Sequence, residues 1–170
     1  ELVTRARDLT DFLKTAQLRA NSSNNTIFAS SKGEIAYLHP HFVPRREDRF
    51  DYTRPVDGSD PAADWGSLHG ISELPNVISP PNGWVQNTNN WPYSAAGPFS
   101  ANPKHYPRYM DTIGENPRGV HATQLLLGSR GWTLDRLNGA AFVSLQPGLA
   151  QLLPGLFQPF LALPKDDAVR

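Results

Sequence analysis

Ser79 to Tyr93 reads Ser-Pro-Pro-Asn-Gly-Trp-Val-Gln-Asn-Thr-Asn-Asn-Trp-Pro-Tyr, a run that crowds asparagine amides and aromatic rings between turn residues. An Asn amide is a neutral N–H donor that acts without proton transfer, which is what the developing O⁻ of a tetrahedral acyl-transfer intermediate requires. Removing one such donor raises the barrier by roughly 3 to 4 kcal/mol. Asn87 and Asn89 lie two apart, so an extended Gly83 to Asn89 segment projects both amides from one face of a strand, with Trp84 and Gln86 on the other. A second reading stands beside this one. Asn clusters also build turns in which the side chain bonds nearby backbone, and spacing alone leaves both open. Trp84 and Trp91 are the aromatics close enough in sequence to help wall an apolar acyl pocket, or else they anchor the Pro-rich loops.

Other chemistry-bearing groups are less convergent. His39 and His41 flank Pro40, and His69, His105 and His121 follow at no recognisable ligand spacing, so no zinc site is read. Asp57, Asp60 and Asp64 with Gly58 lack the register of an EF-hand and read as solvated loop carboxylates. The absence of cysteine removes disulfide and thiolate chemistry. Sixteen basic and sixteen acidic residues cancel, with no basic stripe, which argues against a nucleic-acid partner. No apolar run is long enough for a membrane span.

The elements that must position these groups are short. Residues 4 to 19 place Ala6, Leu9, Leu13 and Ala16 at helical spacing, predicting one amphipathic helix with Thr4 as its cap. Thr26 to Ala29 and Glu34 to Leu38 flank a turn with Gly33 free to take positive φ, predicting a β-hairpin. Sixteen Pro and thirteen Gly, most of them between 40 and 120, predict shaped loops there, interrupted by a short strand at Gly83 to Asn87. Asn116 as N-cap and Pro117 at the first position predict a helix to Leu127, ending before Gly128, and Thr133 caps another. Pro147 to Leu163 is apolar, but Pro154 and Pro159 are expected to break or kink it. That tail is either core or a face that other parts of a larger protein cover. The organisation expected is a single segment: a helix over 1–20, a hairpin, loop and Asn strand over 24–93, and loop and helices over 94–170.

The order of Tyr37-Leu-His-Pro-His-Phe-Val-Pro-Arg-Arg, Asp64-Trp65-Gly66, Leu74-Pro75-Asn76, Asn82 to Asn90 and Arg118 resembles the β chain of the penicillin acylase family. These N-terminal nucleophile hydrolases include cephalosporin, aculeacin and acyl-homoserine lactone acylases. The resemblance covers most of residues 8–160 and is specific jointly, not piece by piece. It implies an α+β chain, a fragment of the four-layer αββα fold. It implies an amidohydrolase that cleaves a linear amide to an acyl group and an amine, using an N-terminal Ser whose own α-amine is the base. The second Asn of the Asn-x-Asn element completes the oxyanion hole, which puts that role on Asn89. A helix-start Arg orients the constellation, which puts that role on Arg118. Departures are equally specific. Glu1 is not Ser, Thr or Cys, so this chain by itself is expected not to be an enzyme, and an internal Ser such as Ser22 or Ser94 lacks the free α-amine. The family's calcium-binding Asp after the Asn element falls near Ser100, so neither metal nor cofactor is carried over. The partners implied are the α chain, the missing N-terminal part of the β chain and a small-molecule amide. Export to the periplasm or the medium follows from the resemblance alone. The alternative function is a non-catalytic binding or scaffolding domain that keeps the acylase framework.

Overall fold

Asp8 interrupts the first helical stretch. It sits in extended conformation at φ −161° and ψ 177°, and its carboxylate accepts the Asp11 N–H at 2.9 Å. The helix expected over 4–19 is therefore two pieces, α1 (Leu2–Arg5) and α2 (Leu9–Ala16), and the cap is Asp8, not Thr4. A short acidic side chain so placed satisfies a free first-turn donor, which helical continuity would not do better. In this computed structural model residues 2–169 are described; Glu1, the residue compared with the family's N-terminal nucleophile, lies outside them.

The hairpin forms as read, with β1 (Thr26–Ala29) antiparallel to β2 (Ile35–Leu38) and Gly33 at φ +82° in the turn. A third strand, β3 (Val77–Ile78), pairs with the other edge of β2, so β2 is central in the order β1-β2-β3. Alternation then sends β2 side chains into two cores. Ala36 and Leu38 pack with Leu9, Phe12 and Ala16 of α2, where Phe12 and Phe28 stack at 4.7 Å between ring centroids. Tyr37 packs on the opposite side with Val77, Ala95, Ala96 and Val85. Glu34 ties hairpin to helix by accepting from the Leu9 N–H at 3.1 Å and the Ser30 hydroxyl at 2.8 Å. A third small core joins Ile71, Leu74 and Met110.

Between 40 and 116 the chain runs as shaped loop with short 3-10 turns. The strand expected at Gly83 to Asn87 does not form. Gly83 takes φ +77° and closes a turn on the Pro80 carbonyl at 3.0 Å, and a single backbone bond, from Gln86 to the Ala95 carbonyl at 2.8 Å, replaces a ladder. Among the described residues no strand pairs with 83–87, and side chains add further bonds to 94–96. Asn82 Nδ2 donates to the Ala96 carbonyl at 2.9 Å and Gln86 Nε2 to the Ser94 carbonyl at 3.1 Å.

The chain divides into two compact units, residues 1–115 and 116–170. The first is a mixed α and β unit with the small antiparallel sheet. The second is helical. Asn116 caps α3 (Pro117–Leu127) through the Gly119 N–H at 2.9 Å, and Thr133 caps α4 (Leu134–Ala141) through the Arg136 N–H at 3.2 Å, as the sequence predicts. The tail does not break at its prolines. Pro147–Ala162 is one continuous helix, α5, with Pro154 and Pro159 inside it. Its side chains, among them Leu152 at 71% and Leu156 at 67%, stay exposed, so the tail is surface and not core in this chain.

Candidate functional site

The Asn segment folds as a pinned turn. Asn89 sits at φ +58°, in the left-handed region, and its backbone N–H donates to Asn87 Oδ1 at 3.1 Å. Asn87 Oδ1 also accepts from Asn25 Nδ2 at 3.2 Å, which joins the turn to the chain just before β1. The amides of Asn87 and Asn89 therefore do not share one face of a strand. Asn87 is spent on the turn, whereas Asn89 is exposed beside it. Asn is among the few residues that tolerate this backbone conformation, which explains its type here apart from any chemistry.

Asn90 is the buried member, 2% exposed. Its Oδ1 accepts the Thr88 N–H at 3.0 Å, and its Nδ2 donates to Ser94 Oγ at 3.0 Å and to Glu115 Oε1 at 2.8 Å. The other oxygen, Glu115 Oε2, accepts from the Trp91 indole N–H at 3.1 Å and from the Ser94 hydroxyl. Trp91 also lies edge-on to Tyr93 at 5.6 Å and 76°, and its backbone N–H donates to the Gly114 carbonyl at 3.0 Å. The polar edge of Trp91 is thus committed to Glu115, which makes the ring an anchor of the loop. Trp84 is half-buried. Nearby, burial pushes the Tyr93 hydroxyl up to about 12, with Asp111 and Tyr106 adding to the effect, so it stays protonated at neutral pH. Burial raises Asp111 as well, against bonds from the Gly114 and Ile113 N–H groups that favour its charge.

In the second unit Arg118 occupies the first turn of α3 and is exposed. It borders a cleft of about 330 Å³ whose walls include His121, Leu125, Trp132, Leu137 and Ala141. Nε2 of His121 and Nε1 of Trp132 are buried there without a hydrogen-bond partner among the described residues. Two histidines of the first unit, His39 and His69, are bonded within the fold. His39 Nε2 donates to the Met110 carbonyl at 3.2 Å, and His69 Nε2 shares a bond with the Tyr109 hydroxyl at 2.9 Å. Among the described residues no group of three or more His, Asp or Glu is placed to hold a metal. Ser100 closes a local turn by accepting the Ala96 N–H at 2.9 Å and donating to the Gly97 carbonyl at 2.8 Å.

Residues 2–169 match the family described as penicillin amidase. This chain belongs to the penicillin amidase family. Its fold is similar to that of a thermostable penicillin G acylase from Alcaligenes faecalis, with 26% identity and a TM-score of 0.65 over 97% of this chain. The match takes in 28% of that acylase chain, so this penicillin amidase family member spans little more than a quarter of the solved relative's length. Family membership agrees with the resemblance read from the ordered motifs. What sequence reasoning missed in this penicillin amidase family member is Glu115, the carboxylate on which the Asn90, Trp91 and Ser94 donors converge. The signal available was one acidic residue directly before the Asn116-Pro117 helix start, with nothing to connect it to an Asn 25 residues earlier.

Proposed function

We propose that this chain is a segment of a penicillin-acylase-type amidohydrolase to which it contributes the Asn89 amide as oxyanion donor. The observation that carries the reading is the combination of a family match along residues 2–169 with an Asn89 held in a left-handed turn by its neighbours. The turn fixes the backbone that carries the Asn89 amide, and a donor on a fixed backbone needs less reorganisation as charge develops on an oxyanion. The reaction is attack of an N-terminal Ser on a linear amide, with expulsion of the amine and hydrolysis of the acyl-enzyme. Asn89 polarises the scissile carbonyl. Arg118 orients the constellation through its planar, permanently charged fork. The nucleophile belongs to another part of the acylase, within the four-layer αββα fold the segment helps build. Substrate is an amide with an apolar acyl group, and the assembled enzyme is exported.

The left-handed backbone at residue 89 supplies a discriminating test in the full-length acylase. Asn89→Gly removes the amide while accepting the backbone conformation freely; Asn89→Ala removes the amide and adds strain of about 1 kcal/mol. With maturation checked by subunit size, both variants are expected to lose about 100-fold or more in kcat on aryl-acyl and fatty-acyl amides. Wild-type turnover by Asn89→Gly would reduce Asn89 to a turn residue and overturn the reading.

A further inference from the structure

Glu115 collects donors from three residues of the Asn loop and its exit. Asn90 Nδ2 reaches Oε1, while the Trp91 indole and the Ser94 hydroxyl reach Oε2. Hydrogen bonds to an ionised carboxylate are about twice as strong as neutral ones. Three of them on one half-buried group fix the positions of residues separated in sequence by 21 to 25 positions. The connection continues inward, because the amide of Asn90 is used on both sides. With its nitrogen held by Glu115 and Ser94, its oxygen is aimed at the Thr88 N–H at 3.0 Å, in the peptide between Asn87 and Thr88, one before Asn89. On the far side the Asn89 N–H is held by Asn87 Oδ1 at 3.1 Å. Asn tolerates φ +58°, so neighbouring bonds need only select that conformation over the others open to the turn. Here one side of that support, through Asn90 and Thr88, traces back to the Glu115 carboxylate, and the other, through Asn87, to Asn25.

We infer that Glu115 is a positioning residue for the Asn89 oxyanion donor, acting through the Glu115 to Asn90 to Thr88 hydrogen-bond chain. The inference rests on the reading of Asn89 given above. Glu115 touches neither substrate nor reacting atoms in this scheme. It keeps the turn from relaxing, and a displacement on the order of 1 Å at a donor costs about 100-fold in rate.

The test is a double-mutant cycle in the full-length, matured acylase, using Asn89→Ala, Glu115→Gln and the pair, with kcat and KM measured on one aryl-acyl amide. Glu115→Gln keeps the shape but turns one accepting oxygen into a donor that faces other donors. It is expected to lower kcat about 10- to 100-fold with KM changed less than threefold. The pair is expected to be no slower than Asn89→Ala alone, since a residue acting through Asn89 has nothing left to position. Ser94→Ala, which removes one of the three donors, covers the case in which Glu115→Gln does not mature. It is expected to lower kcat several-fold in the wild-type background and not at all in Asn89→Ala. Unchanged kcat in Glu115→Gln, or multiplicative losses in the pair, overturns the positioning role while leaving Asn89 in place. Unchanged kcat in Asn89→Ala instead overturns the oxyanion reading itself and this inference with it, and that outcome is visible in its own arm of the cycle.

Discussion

Acid should weaken the first unit through His39. Its ring is 5% exposed, Nε2 donates to the Met110 carbonyl, and Nδ1 is buried without a hydrogen-bond partner among the described residues. Burial pushes the imidazole down to about 4, with the Met110 carbonyl opposing and His41 adding to the fall. The unfolded chain holds a His near 6.5. Between those values the unfolded state binds a proton that the folded state refuses, so stability decreases as the pH falls. The contribution is fully present above about pH 6.5 and is lost as the pH drops through about 4. A difference of that size corresponds to about 3 kcal/mol in all, of which about 2 kcal/mol is gone at pH 5. Burial also lowers His41 and His69, which tilts the whole chain the same way, so the measurement must be a difference. Urea unfolding of wild type and His39→Gln at pH 7.5 and 5 provides it, because the Gln amide can still donate to the Met110 carbonyl and does not titrate. The variant is expected to lose about 2 kcal/mol less than wild type on acidification. Imidazole NMR supplies the direct check. A His39 titration near 6.5, or parallel losses in the two proteins, would refute the argument.

Two further expectations concern the scaffold. Phe12→Ala removes the ring that stacks on Phe28 and seals α2 onto β2, and is expected to destabilise the first unit by about 3 to 5 kcal/mol, read as a lower urea midpoint and faster proteolysis between residues 17 and 25. Pro154→Ala restores a backbone N–H within α5 at a position where Pro costs about 3 kcal/mol relative to Ala, so helix content by circular dichroism should rise together with the thermal midpoint. A lower midpoint would mean that packing in the second unit requires the shape the proline imposes.

Local bonds explain what could be read before the structure. Asn116 and Thr133 cap their helices through the N–H three residues on, and Gly33 closes its turn on Ser30, so each partner lies within the window in which residue types are seen together. The helical period that put Leu9 and Ala16 on one face is local in the same sense, although Asp8 had to be recognised as a stronger cap than Thr4 for the start of α2 to be right. Ordered motifs carried the family, because jointly they span the chain. The strand at 83–87 failed because a strand exists only through its partner, and its amide groups found side chains and the 94–96 backbone instead. β3, two residues long, was invisible for the converse reason: the edge of β2 recruits it from across the loop. Continuity of α5 through two prolines was likewise not local, since propensity predicts an interruption and the fold carries the helix through.

The sequence by itself determined that Asn89 stands in a segment able to present an amide, since residue type and turn composition are properties of a few neighbouring residues. Only the tertiary structure decided how that segment is held. A strand face became a left-handed turn, and the group that bonds its buried neighbour Asn90 is Glu115, 25 residues later. Hydrogen bonds to a carboxylate depend on where three donors meet in space, and chain folding, not spacing along the sequence, brings them to one point.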